Sequence, residues 1–278
     1  MTPEERRHLQ ALVQELWRRE GPYVGTHVGD LAWGPTHRAD EQPWRVRIWD
    51  EGAGAWMRRA HELEYELLPE LRGGPFEHEL LDWAESEAGG ELTTYSLGTD
   101  GGRLAFLRGR GYEPKPDASP LDFHIRQVDD ADEVEPPAGF RLRTAEPADL
   151  ERRVAVHRAA WEPSRVTVES YREVIAAWPY RAELDCVVEA PNGELAASCL
   201  AWLDDENGVG ELEPVGTAPA YRRRGLASAV CRFALRRLCE EGATDAVVYS
   251  NTPEAKALYL SIGFVEHTRS LPLAQTGS

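Results

Sequence analysis

Residues 211–228 read Glu211-Leu-Glu-Pro-Val-Gly-Thr-Ala-Pro-Ala-Tyr-Arg222-Arg-Arg-Gly225-Leu-Ala-Ser228. An extended run ending at Thr217 meets a short Arg/Gly loop at Tyr221–Gly225. An apolar-periodic helix then runs from Leu226 to about Glu241. The first N–H groups of that helix have no intrahelical acceptor and carry the positive end of its dipole, so strand, turn and helix start together form an anion site. Gly225 lets the backbone approach a ligand, and Ala227 is small enough not to block it. A diphosphate is the anion that suits such a nest.

The downstream sequence sharpens this reading. Arg222-Arg223-Arg224-Gly225-Leu226-Ala227 resembles the Arg/Gln-x-x-Gly-x-Gly/Ala loop of the GNAT N-acetyltransferase superfamily. Asn251-Thr-Pro-Glu-Ala255-Lys-Ala-Leu-Tyr259-Leu-Ser-Ile-Gly263-Phe264 is similar to that superfamily's Asn-x-x-Ala-x-x-Leu-Tyr-x-x-x-Gly-Phe block. Both blocks stand in the family order, and the resemblance covers roughly residues 140–268. It implies that acetyl-CoA is the acyl donor, its pyrophosphate held by the amides of Arg222–Ala227. It also implies that Val215, Gly216 and Thr217 pair with the pantetheine arm. Gly216 then either relieves crowding or marks a bulge.

The same resemblance makes Tyr259 the general acid, since a phenol can protonate a departing thiolate. A carboxylate on the preceding strand becomes the base for the amine proton. Glu211 and Glu213 alternate with Leu212 and Pro214, so both face one side of the strand. Glu213 lies nearer the strand opening and is preferred, with Glu211 as the alternative. Asn251 either hydrogen-bonds the cofactor or caps the helix ahead of Pro253. His157 and Trp161 share a helix face at i and i+4, as packed aromatics or as part of the acceptor pocket. No activated Cys or Ser nucleophile is evident, so direct transfer in a ternary complex is expected, without a metal. A protein that senses acyl-CoA without turnover is the rival reading.

Composition bounds the partners. The chain has 278 residues, 42% apolar residues, nine Trp and a formal net charge of −17. These numbers suit one large or two ordinary domains with packed cores. The acidic balance argues against nucleic acid or an anionic membrane and suits a small-molecule or peptide amine. Four cysteines, Cys186, Cys199, Cys231 and Cys239, fit neither a zinc nor a redox spacing. With no apolar leader or spanning run, a reduced, cytoplasmic monomer or homodimer is expected.

An internal repeat extends the reading to the first half. Pro69-x-x-Arg72 recurs 150 positions on as Pro219-x-x-Arg222, and Ala105–Tyr112 resembles Ala257–Phe264 at an offset of 152. The expected fold is α/β, two tandem GNAT-like domains over 1–130 and 139–278. Each is a mixed, mostly antiparallel sheet flanked by helices, and an acidic stretch at 129–139 joins them. The first copy lacks the Arg-x-x-Gly-x-Ala pattern and has Leu107 in place of Tyr259, so it should scaffold the molecule or shape the acceptor pocket. Within it, helices are expected over 3–19, 75–87 and 102–110, and extended runs over 30–33, 44–49, 55–59, 63–68, 92–97 and 121–128. The second copy should end in a short strand over 264–267.

Overall fold

The computed structural model describes residues 1–21, 25–37, 44–49, 52–59, 61–129 and 134–275. The first segment contains α1 (Pro3–Glu20), α2 (Val28–Trp33), β1 (Arg45–Trp49), β2 (Ala53–Arg59), β3 (Glu62–Leu67), α3 (Pro75–Ala88), β4 (Thr93–Leu97), α4 (Gly101–Gly109), β5 (Tyr112–Pro114) and β6 (Leu121–Gln127). The second contains β7 (Arg141–Thr144), α5 (Leu150–Ala160), α6 (Val168–Ala176), β8 (Asp185–Glu189), β9 (Leu195–Asp204), β10 (Val209–Thr217), α7 (Leu226–Glu240), β11 (Asp245–Ser250), α8 (Pro253–Ser261) and β12 (Val265–Gln275).

One sheet runs through both segments in the order β1-β2-β3-β4-β12-β6-β11-β10-β9-β8-β7, with β5 beside β12. Only β3/β4 and β10/β11 pair in parallel, as strand–helix–strand crossovers require; the other ladders are antiparallel. The two segments exchange strands where they meet. β6 of the first segment lies between β11 and β12 of the second, and the end of β12 pairs with β4 and β5 of the first.

The repeat is visible in the backbone. A 3-10 turn at Pro69–Leu71 matches one at Pro219–Tyr221. Arg72 Nε donates to the Leu67 carbonyl at 3.3 Å, and Arg222 Nε donates to the Thr217 carbonyl at the same distance. The next residue has positive φ in both copies, 67° at Gly73 and 61° at Arg223. Leu107 and Tyr259 hold the same place on α4 and α8, at 0% and 6% exposure.

Two elements depart from the sequence reading. Residues 30–33 belong to helix α2, not to a strand. His27 caps this helix: its Nδ1 accepts the Gly29 N–H, and Asp30 Oδ2 accepts the His27 N–H. Six residues are too few for a helical period to show. The last strand is β12, running to Gln275 instead of ending at 267, because β4 and β5 supply partners for residues 270–275. The acidic stretch at 129–139 falls partly outside the described residues.

Each segment has its own core. Leu226, Val230, Cys231, Ala234, Leu235 and Leu238 form the buried stripe of α7 against β8–β11. Burying each such Leu or Val contributes about 1.5–3 kcal/mol. Leu63, Leu80, Leu81, Leu92 and Leu107 serve the first segment in the same way.

Candidate active site

The β10/β11 ladder ends at the Glu211/Val247 pair, and the β10/β9 register slips between Leu212 and Val215. Beyond that point β10 leaves β11, so Val215–Thr217 keeps one edge on β9 and presents the other to the gap. A cavity of about 1290 Å³ opens there, lined by both segments. Thr217 Oγ1 is buried without a hydrogen-bond partner among the described residues, as suits a strand edge that receives a polar chain. At Gly216 an added Cβ would lie 2.7 Å from Ala160 Cβ and 3.0 Å from Trp161 Nε1. The glycine therefore answers crowding by α5. The bulge lies upstream, between Leu212 and Val215.

The loop after β10 forms the expected nest by its backbone. Arg222 is spent on structure, with its second donor on the Ala160 carbonyl at 3.2 Å. Arg223 and Arg224 are exposed, and the Arg224 guanidinium lies 5.7 Å from the Tyr221 ring centroid. Gly225 precedes Leu226, which is buried as the first residue of α7, with Ala227 half-buried beside it. The Ala229 N–H is the one that closes on the Gly225 carbonyl, so the N–H groups before it face outward. In the first segment the same turn is already filled: the Gly73 N–H donates to Glu77 Oε2 at 2.7 Å, and the Tyr65 hydroxyl donates to Oε1 at 2.7 Å. Pro75 removes a further donor at the start of α3. A protein carboxylate stands where an anionic ligand would bind.

Tyr259 reaches the cavity from α8, 6% exposed, with its ring 5.9 Å from Phe264 and 6.0 Å from His124. Burial, with Cys231, Cys199 and Glu213 nearby, pushes its phenol well above 10, so it stays protonated. Asn251 lies exposed at the cavity rim. It is not the helix cap, because Thr252 Oγ1 accepts the Ala255 N–H. His157 and Trp161 stack with centroids 6.4 Å apart, and both line the cavity.

One carboxyl oxygen from each of Glu211, Glu213 and Asp30 lies within 4.8 Å of the other two. Two full negative charges that close repel by about 3 kcal/mol even at an effective dielectric constant of ~20. Burial, reinforced by the charge of Glu211, pushes Glu213 up to about 7. Burial and then Asp30 raise Glu211 as well. Burial and Glu213 raise Asp30 well above its usual range. His27 defines one proton. Its Nε2 lies 3.1 Å from the Val209 carbonyl, which can only accept, so Nε2 carries hydrogen. Its Nδ1 accepts the Gly29 N–H and lies 3.2 Å from Glu211 Oε2.

Asp30 and His27 were not legible as site residues. They stand far from β10 in sequence, on a six-residue helix that carries no motif. Gly29, between them, allows the contact. A Cβ there would lie 2.5 Å from Trp202 Cγ and 2.7 Å from Glu211 Oε2.

The split of β10, the turn that opens α7 and the cavity that holds Tyr259 and Glu213 define the candidate site. Residues 153–264 match the acetyltransferase (GNAT) family, and this part of the chain is a GNAT acetyltransferase domain. Two solved structures show the tandem GNAT fold over the whole length. A tandem GNAT protein from the clavulanic acid biosynthesis pathway is 16% identical with a TM-score of 0.71, covering 99% of this chain and 96% of its own. A GCN5-related N-acetyltransferase from Sphaerobacter thermophilus is 17% identical with a TM-score of 0.66, covering 100% and 95%. A mycothiol acetyltransferase from Kineococcus radiotolerans is 34% identical over 133 residues, which is 46% of this chain and 43% of that protein. The match thus spans less than half of that relative.

Proposed function

We propose that the protein is an acetyl-CoA-dependent N-acetyltransferase working by direct transfer, with residues 139–278 as the catalytic domain and 1–130 as a partner that binds no acetyl-CoA. The observation that carries this reading is the meeting of the protonated Tyr259 and the carboxyl Glu213 at one cavity beside the split of β10, the strand that leads on to the turn at Arg222–Ala227. The pyrophosphate rests on the nest amides, and the pantetheine runs along Val215–Thr217 with Asn251 at its side. Glu213 takes a proton from the acceptor ammonium, and the freed amine attacks the thioester carbonyl. The C–N bond forms, the C–S bond breaks, and Tyr259 gives its proton to the departing thiolate. The second proton of the new amide nitrogen passes through water to the Tyr259 phenolate, and Glu213 releases its proton to solvent, which restores both groups.

The cavity is walled by both segments and by Trp33, Trp56 and Tyr95, which supports a small-molecule amine over a protein lysine. The acidic trio attracts an acceptor that arrives as a cation.

Thermal unfolding with and without acetyl-CoA tests this reading. At 100 times its dissociation constant the ligand should stabilise the fold by about 2.7 kcal/mol. Arg224→Glu/Gly225→Asp should abolish the shift, and a set of amines should then be screened for release of free CoA. An unshifted wild-type transition under saturating acetyl-CoA would overturn the assignment. A shift without turnover of any amine would indicate a sensor.

A further inference from the structure

We propose that Asp30, on α2 of the first segment, is a positioning residue for the base: it stays a neutral acid and donates its O–H to Glu213, which holds Glu213 as a carboxylate. The proposal rests on the reading of Glu213 as the base and assigns the first segment a part in the chemistry. Tandem architecture alone would not require this, since the first segment has lost its nest and its tyrosine.

The argument begins with proton count. A carboxyl oxygen of Asp30 lies within 4.8 Å of one of Glu213, and Asp30 favours the charged form of Glu213, as a hydrogen bond donated by a protonated Asp30 would. The surroundings decide which keeps the proton. Arg58 on β2 bears on Glu213 and favours its charge, although its own guanidinium is ion-paired with Glu64 on β3. Glu64 and Glu213 both press Asp30 toward neutrality, against the single N–H it accepts from His27. Glu211 adds negative charge behind Glu213, with the His27 imidazole beside it. The phenols Tyr249 on β11 and Tyr259 on α8 complete the titratable surroundings, and both are held protonated. Charge thus falls on Glu213, the member beside the split strand, and the proton on Asp30.

The capping bond explains how the acid is aimed. Asp30 Oδ2 accepts the His27 N–H at 2.8 Å, which restrains the carboxyl group that lies beside Glu213. The side chain therefore locks the α2 start and reaches the base of the other segment at once.

The test is a carboxyl titration that requires no acceptor. Protein labelled with carbon-13 at the glutamate carboxyls is titrated, and the Glu213 signal is assigned by its loss in Glu213→Gln. Asp30→Asn keeps an N–H donor and the cap acceptor, so the Glu213 midpoint should stay within about half a pH unit. Asp30→Ala removes the donor and should raise that midpoint by about one unit, a tenfold change in proton affinity. A fall of about one unit in Asp30→Asn would show that Asp30 is charged and overturn the proposal. Equal midpoints in wild type and Asp30→Ala would overturn it as well. Should Asp30→Ala fail to fold, wild type labelled at the aspartate carboxyls decides. The Asp30 signal, assigned by its loss in Asp30→Asn, should remain that of a protonated acid through the Glu213 midpoint, and deprotonation below that midpoint would overturn the proposal. The acetyl-CoA unfolding shift is measured in the same variants and should persist. Its absence in wild type would sink the enzymatic reading while the titration still judges the carboxyl pair.

Discussion

Glu211 illustrates how far a single residue departs from what its sequence position promises. It reads as the alternate base, yet it is 1% exposed and its free oxygen faces His27 Nδ1. Its folded-state pKa lies above its unfolded value, at about 7 against 4.5. Between those values the folded state binds more protons than the unfolded chain, so stability falls as pH rises through this window and then levels off. Glu211→Gln keeps the shape of the side chain and cannot ionise. The variant should therefore match wild type near pH 4.5 and exceed it at pH 8 by roughly 1–3 kcal/mol, read from urea unfolding at both values. A variant destabilised at pH 8 would show that Glu211 is needed as an anion. Tyr259 makes a different demand. Tyr259→Phe should keep the acetyl-CoA unfolding shift and lower turnover about 10²–10⁴-fold, the range for losing a general acid. Tyr259 could be expected at the cavity because it lies on a motif of fixed spacing, and Glu213 because of the alternation along β10. Asp30 could not, because its role arises only when α2 is laid on β10.

At the scale of elements, the sequence reading succeeds where periodicity is long and fails where a neighbour decides. The end of β10 at Thr217 was read correctly, since an extended run meets an Arg/Gly loop there. Likewise α7 has four turns of apolar spacing and ends at Gly242, whose φ is 97°. By contrast α2 is held by its cap and by Trp202 and Glu211, all invisible to a local pattern. Gly29→Ala tests that account. The new methyl meets the Trp202 ring and Glu211 Oε2, and neither can swing away without leaving the core. Overpacking of this kind costs about 1–3 kcal/mol. The helix should lift from β10, so the loss should appear in the urea midpoint together with a displaced Glu213 titration. A well-folded variant with an unmoved titration would show that α2 is not seated by this contact.

At the scale of the molecule, the repeat announced two similar units but not how they are joined. Residues 268–275, with Pro272 among them, resemble a tail until β4 is placed beside them; Leu271 then pairs with Ser96 and Leu273 with Thr94. β6 likewise ends the first unit in sequence and fills the second unit's sheet in space. Further ties cross from α1, where Gln10 Nε2 donates to the Trp178 carbonyl at 2.9 Å and Gln14 Nε2 donates to Asp204 at 2.7 Å. Strands that contribute to each other's ladders cannot part without breaking both cores. A protease site inserted between Asp129 and Val134 should therefore yield two fragments that co-elute on a native sizing column and separate only in denaturant. The nicked protein should also unfold in one transition and keep its acetyl-CoA shift, since cutting the linker removes no ladder bond or nest amide. Fragments that separate natively would mean that the linker, not the exchanged strands, holds the active cavity closed. Survival of the complex would place the two halves of the carboxyl cluster under the same cooperative unit, which the chemistry at Glu213 requires.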